Sequence, residues 1–274
     1  MKLAWASDLH LDLAGSQAVR RFFRTLRETE YDALLVTGDL GNAKVITTYL
    51  EQIEKHCAPR PVYYVQGNHD YYFSSLRRVD EEIRDFCDGR NVHLVASGDL
   101  IPLTKHCVLI GHRGWADGLT RNGHPSRLAT EDYLRIADFR PRNSYQRAHL
   151  QGMLAGASKR YLAALLQRAL ARYRHIILAT HVPPFPQTVR WKGNLCAEEY
   201  LPHYCNRPVG EMIQRVAFRF KNRTIIVLAG HTHFSTHRCV ASNLIAEVAG
   251  ARVGSPRIYK VLNIEDSLPT KRLR

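Results

Sequence analysis

Five short apolar runs in this sequence each end in side chains able to hold metal ions. LAWAS, at 3–7, leads into Asp8 and His10, and ALLVTG, at 33–38, into Asp39. VYYVQG, at 62–67, is followed by Asn68, His69 and Asp70. IILAT, at 176–180, precedes His181, and IIVLAG, at 225–230, precedes His231 and, two residues on, His233. A set of carboxylate, amide and imidazole groups without thiolate suits Mn, Fe or Zn better than Ca. Asp8 and His10 are two residues apart, as are His231 and His233. In extended chain such residues point to one side, so each pair is expected to chelate one ion. Taken singly, each motif has an ordinary reading. A histidine at a strand end is more often a hydrogen-bonded residue than a ligand, and an aspartate after a strand is often a helix cap. All five in one order, each after a buried strand, argue for a metal site.

Those side chains lie far apart in sequence, so a fold must gather them. The apolar runs read as strands, and amphipathic stretches between them read as helices: from Ser16, whose hydroxyl is expected to cap it, then 43–56 and 74–86. Apolar, β-branched strands separated by helices signal a sheet buried on both faces. In doubly wound sheets ligands bind beyond the carboxyl ends of the strands, which is where the five motifs fall. Gly38, Gly67 and Gly230 release the backbone where these strands must turn. Further strands are expected at 92–95, 107–110, 244–248 and 257–264, and helices at 145–173 and from 208 to about 220. From 113 to about 143 the chain is polar, Arg-rich and broken by Gly and Pro, too long for a plain connection. The chain, 1–274, is expected to form a single domain, with this Arg-rich segment and the following helix, about 113–173, as an insertion.

Hydrophobic residues make up 45% of the 274, enough for a substantial core. No apolar run is long enough for a membrane-spanning helix, and acids and a histidine interrupt the N-terminal apolar stretch, unlike a signal peptide. A cytoplasmic protein is therefore expected. The six cysteines, at 57, 87, 107, 196, 205 and 239, form no CxxC and read as reduced thiols, although Cys196 and Cys205 flank a loop and could pair. The formal charge of +14 attracts anions, which fits either a solubilising surface or a phosphate-bearing substrate. Arg20, Arg24 and Arg27 form one helical stripe, but no interleaved aromatics support nucleic-acid stacking, so a solvated helix face is the simpler reading.

The order Asp8-Leu9-His10, Gly38-Asp39, Gly67-Asn68-His69-Asp70, Thr180-His181 and Gly230-His231-Thr232-His233 resembles the calcineurin-like metallophosphoesterase family. The resemblance spans 8–233 and implies a four-layer α-β-β-α sandwich holding two divalent ions. It implies that Asp8, His10, Asp39 and His233 bind one ion and that Asn68, His181 and His231 bind the other, with Asp39 bridging. His69 would be the catalytic histidine near the leaving group, oriented by Asp70. A metal-bridging hydroxide would then attack phosphorus in line, between ions about 3.5–4 Å apart. The sequence departs from the family pattern at Asn42, where an acid is usual, and 39–43 lacks the arginine that Ser/Thr protein phosphatases carry there.

The reading is therefore a dinuclear phosphoester hydrolase acting on a small-molecule phosphoester, with a phosphodiesterase favoured over a phosphomonoesterase or a nuclease. A non-catalytic metal-binding scaffold is opposed by the complete ligand set and by His69. Substrate choice is expected to lie in two loops. The first, 111–117, carries His112, Arg113 and Trp115; the second, 183–204, carries Arg190, Trp191, Lys192, Tyr200, His203 and Tyr204. Their aromatics and cations can hold a leaving group or a second anionic site. The alternative is that Trp115 and Trp191 simply pack their loops onto the sheet.

Overall fold

The computed structural model describes residues 1–126 and 128–264; Arg127 of the Arg-rich stretch and the tail after 264 lie outside them. The strands, in chain order, are β1 (Lys2–Ala6), β2 (Ala33–Thr37), β3 (Val62–Val65), β4 (Val92–Leu94), β5 (Ile101–Pro102), β6 (Cys107–His112), β7 (His175–Thr180), β8 (Arg190–Trp191), β9 (Asn194–Leu195), β10 (Thr224–Ala229), β11 (Thr236–Ala241), β12 (Leu244–Val248) and β13 (Lys260–Asn263). The helices are α1 (Ser16–Glu28), α2 (Ile46–Cys57), α3 (Leu76–Cys87), α4 (Glu131–Arg135), α5 (Ser144–Arg172), α6 (Leu201–Tyr204) and α7 (Arg207–Arg219). One sheet has the order β13-β1-β2-β3-β4 and a second the order β11-β12-β10-β7-β6-β5. The central pairs β1–β2, β2–β3, β10–β7 and β6–β7 are parallel, and antiparallel strands close three of the four edges.

Alternation along each strand builds the layers. In β1, Ala4 and Ala6 face a core with Phe22 and Leu26 of α1, Leu50 and Ile53 of α2, and Val79 and Ile83 of α3. Their neighbours Leu3 and Trp5 face the other way, into a core shared with Leu109, Ile177 and Leu228 of the second sheet. On the far side of that sheet, Ile176, Leu178, Ile225 and Val227 meet Leu162 and Leu166 of α5 and Ile213 of α7. Three cores thus separate four layers, helices–sheet–sheet–helices, and the central strands are buried on both faces, which is why they are almost wholly apolar, whereas the edge strands β11 and β13 are more polar and largely exposed.

Several local expectations change. Ser16 does not cap α1: Gly15 occupies the cap position and no side chain bonds there. Ser75 caps α3, and Asn143 with Gln146 forms a reciprocal capping box at α5. Helix α5 packs Leu162, Leu165 and Leu166 against the second sheet, as part of its outer helical layer. The Arg-rich stretch before it contains α4. Cys196 and Cys205 are both free thiols. Arg20, Arg24 and Arg27 are exposed on α1. Among the described residues no helix is long and apolar enough to cross a membrane.

Candidate metal centre

The five motifs meet at one rim. Strands β1 and β2 lie side by side in one sheet, as do β7 and β10 in the other, and their carboxyl ends face the same way. Two groups form there: Asp8, His10, Asp39 and His233, and Asp39, His181 and His231, each with its ligand atoms within 4.8 Å of one another. Asp39 belongs to both, and its two oxygens face different groups. Oδ1 lies 3.3 Å from His181 Nε2, and Oδ2 lies 3.7 Å from His10 Nε2. Asn68 Oδ1 joins the second group, 3.0 Å from His181 Nε2.

His231 and His233 fall in different candidate groups, contrary to the expectation from their spacing. The segments are not extended here. Asp8, His10, Asp39, His231 and His233 all have positive φ, at 52°, 41°, 53°, 72° and 61°. Left-handed backbone at non-glycine residues is costly, about 1–3 kcal/mol each, and clusters where function holds it. Gly67 serves by close approach rather than by turning: a Cβ there would overlap the Asp39 carboxylate. Gly67→Ala is therefore expected to displace Asp39 and lower metal content in elemental analysis of the purified protein. Unchanged content would mean that the turn relaxes around the methyl group.

Hydrogen bonds fix which nitrogen each histidine offers. His181 Nδ1 donates to the Thr37 carbonyl at 2.8 Å, leaving Nε2 turned to Asp39. His231 Nε2 donates to the His203 carbonyl at 2.9 Å, and its buried Nδ1 has no partner. His10 and His233 point their Nε2 atoms at each other, 3.2 Å apart, and His233 Nε2 lies 3.4 Å from Asp8 Oδ1. Orphaned imidazole nitrogen and carboxylate oxygens aimed at common points are a donor set for cations, and second hydrogen bonds of this kind set ligand orientation. Electrostatics agree. Burial disfavours a charged His181, yet the Asp39 carboxylate beside it lifts its pKa to about 10. Burial likewise disfavours charge on Asp39, but His181, His69 and His10 hold its carboxyl well below the usual range. The pocket thus carries negative potential that divalent ions would neutralise. The residues present fit two such ions.

His69 sits beside both groups and in neither. Its side chain is 31% exposed, its Nε2 is 3.9 Å from Asp39 Oδ2, and its ring stacks on Tyr72 at 4.2 Å. Asp70 does not orient it. Asp70 is fully buried and accepts hydrogen bonds from the Tyr64 hydroxyl and from the backbone amides of Gly67, Asp39, Leu40 and Gly41. It ties the loop after β2 to the loop after β3, and so places Asp39. Asn42 donates to Asp12 at 2.7 Å where the family's acid would stand.

A cleft of about 630 Å³ opens over the groups, lined by Asn68, His69, Tyr72, Trp191, Tyr204 and Phe234 among others. Trp191 is 53% exposed and meets Phe234 edge-on at 5.7 Å. His203 and Tyr204 of the second loop also line the cleft, whereas the three residues expected from the first loop do not. His112 is half-buried, accepts from the Gly114 amide at 3.1 Å, and is pushed down to about 3 by burial and by Arg113, so it stays neutral. Arg113 pairs with Asp80 and donates to the Tyr71 hydroxyl. Trp115 is 3% exposed, between Tyr71 and Phe139. The loop at 111–117 packs rather than presents itself to the cleft. Asp132, half-buried in the cleft wall, was not expected. It lies on a five-residue helix inside a loop-like stretch, where no periodicity marks it.

The described fold superposes on a phosphopantetheinyl hydrolase from Mycobacterium tuberculosis with a TM-score of 0.69 at 14% identity, covering 99% of this chain and 98% of that one. It also superposes on a dimetal phosphatase from Danio rerio, TM-score 0.58 at 12% identity, covering 93% and 88%. No curated protein sequence matches the chain. The profile of the calcineurin-like phosphoesterases matches residues 1–235, a span that takes in every residue of both candidate metal groups. The chain therefore belongs to the calcineurin-like phosphoesterase family, whose members are metal-dependent phosphoester hydrolases.

Proposed function

We propose that this protein hydrolyses phosphodiesters with two divalent ions, Mn, Fe or Zn, held at the rim of the two sheets. The position of Asp39 carries the reading, because its two carboxylate oxygens face separate donor groups. Asp8, His10, Asp39 and His233 would hold one ion; Asn68, His181 and His231 would hold the other, with Asp39 shared. Bound divalent ions supply Lewis acidity toward phosphoryl oxygens and lower the pKa of water for in-line attack. His69, outside both groups and facing the cleft, is placed to give a hydrogen bond or a proton to the leaving oxygen. Asp70 keeps the two ligand loops in register. Six free cysteines suit a reducing compartment such as the cytoplasm.

The diester preference is supported by the cleft. Among the described residues its lining holds Glu131 and Asp132 but no Lys or Arg. A monoester dianion, or a polyanion such as nucleic acid, brings extra charge to a wall whose described residues include no Lys or Arg to meet it. Matched p-nitrophenyl esters test this. Methyl p-nitrophenyl phosphate is expected to show a higher kcat/KM than p-nitrophenyl phosphate, and the opposite order would reverse the assignment. A phosphopantetheinyl ester belongs in the same panel, since the fold is shared with a phosphopantetheinyl hydrolase.

Trp191 is the aromatic surface on which an apolar ester substituent would rest. Trp191→Ala is expected to lower kcat/KM for phenyl p-nitrophenyl phosphate relative to the methyl ester. The change should be roughly 3- to 10-fold, the worth of an aromatic contact. Equal loss on both esters would assign Trp191 to packing against Phe234.

A further inference from the structure

The strongest unassigned feature of the cleft is a single carboxylate oxygen that holds two site residues at once. Asp132 Oδ1 accepts from Asn68 Nδ2 at 2.8 Å and from the Tyr72 hydroxyl at 2.8 Å. Asn68 is the amide beside His181, and Tyr72 is the ring on which His69 stacks. Asp132 belongs to α4, within the segment between β6 and α5.

We infer that Asp132 is the positioning residue through which this segment completes the centre, by locking the Asn68 amide with its oxygen toward the ion shared with His181 and His231. The inference rests on the two-ion reading of the site. The physical reason is the symmetry of a carboxamide. Its oxygen and nitrogen ends are nearly equal in shape, and rotation by half a turn would present N–H donors, which cannot ligate a cation. An ionised carboxylate only accepts hydrogen bonds, so Asp132 admits only the orientation that turns Nδ2 to itself and Oδ1 inward.

The brace is rigid. Around Asp132, the side chains of Tyr133, Ile136 and Phe139 enter the core under the first sheet. The Tyr133 hydroxyl donates to Gln151 of α5 at 2.9 Å. Backbone bonds from Phe73 to Arg135 and from Ala137 to Ser74, at 2.8 and 2.9 Å, tie the segment to the chain just past His69 and Asp70. A residue held from both sides can fix a ligand's orientation more closely than one on a free loop.

The test is Mn2+ titration calorimetry on the chelated full-length protein, with the melting temperature of the metal-free form measured alongside. Asp132→Ala is expected to weaken one of the two Mn2+ sites about 10- to 100-fold, the usual effect of removing a ligand's hydrogen-bond partner, while the other site is unchanged. Asp132→Asn keeps an acceptor oxygen and should restore much of the affinity. Tyr72→Phe keeps both the stacked ring and the Asn68–Asp132 bond, and should bind both ions nearly as the wild type does. In an Asn68→Ala background, Asp132→Ala should cause no further loss, because the two act through one ligand. Wild-type affinity at both sites in Asp132→Ala would overturn the inference. So would loss of both sites with a lowered metal-free melting temperature, which would mark a structural role; if Asp132→Ala does not fold, Asp132→Asn decides, a partial loss confined to one site supporting the inference and loss at both sites overturning it. A wild type that binds fewer than two ions would instead remove the two-ion reading, and this inference with it.

Discussion

Asp39→Ala is expected to empty both metal sites together and to bring phosphodiester turnover to background, a loss of at least about a thousandfold. Asp39 is the one side chain common to the two donor groups. Its removal takes one anionic oxygen from each and leaves His10 Nε2 and His181 Nε2 facing vacated space. It also frees the His69 amide, which donates to Asp39 Oδ1 at 2.8 Å, so the loop carrying His69 and Asn68 loses an anchor. Elemental analysis and kcat on the same preparation are the check. Asp39→Asn should follow the alanine variant, because an amide offers one neutral oxygen where two charged ones stood. Retention of two ions by either variant would show that Asp39 does not bridge.

His69→Ala should separate binding from turnover. Both ions are expected to stay, since His69 lies in neither donor group. By contrast, kcat should fall about 10²- to 10⁴-fold, the range for removing a positioned acid or base. The fall should depend on the leaving group. A p-nitrophenolate departs without protonation, so an alkyl leaving group should suffer more than p-nitrophenol if His69 protonates the departing oxygen. Tyr72 holds the ring in place by stacking at 4.2 Å. Loss of metal from His69→Ala comparable to that from Asp39→Ala would make His69 a ligand. An equal fall for both leaving groups would leave it a charge-stabilising role only.

The parts of this site that are readable in sequence are those fixed by strand ends. A buried parallel strand has a strong apolar signature, and the residues just past its carboxyl end must lie on the rim, so Asp8, Asp39, Asn68, His181 and His231 could be placed before any coordinates. What spacing could not supply is backbone direction. Two-residue spacing suggested extended chelating pairs, but Asp8, His10, His231 and His233 all have left-handed φ, and only the first pair shares a group while His231 and His233 fall in different ones. Nor could it supply the partners of a buried acid. Asp70 follows His69 in sequence, yet its carboxylate turns away to four backbone amides and a tyrosine, because a fully buried carboxylate needs many donors and the turns after β2 and β3 provide them. The loop at 111–117 looked functional for its Trp, Arg and His, but Asp80 and Tyr71 take up Arg113, and the apolar core takes up Trp115. Asp132 was invisible for the opposite reason: its two contacts, to Asn68 and Tyr72, span 64 and 60 residues, and α4 is too short to have a period.

The most direct measurement is a titration of the chelated protein with Mn2+, following phosphodiester turnover and bound metal together. Turnover should be absent without metal and should rise to a plateau as the second equivalent binds. The melting temperature should rise over the same range, because ions held only by the folded state stabilise it by about 2.7 kcal/mol per site at a hundredfold excess over Kd. Full turnover in the metal-free protein, or a plateau at one equivalent with no second ion bound, would contradict a two-ion centre bridged by Asp39.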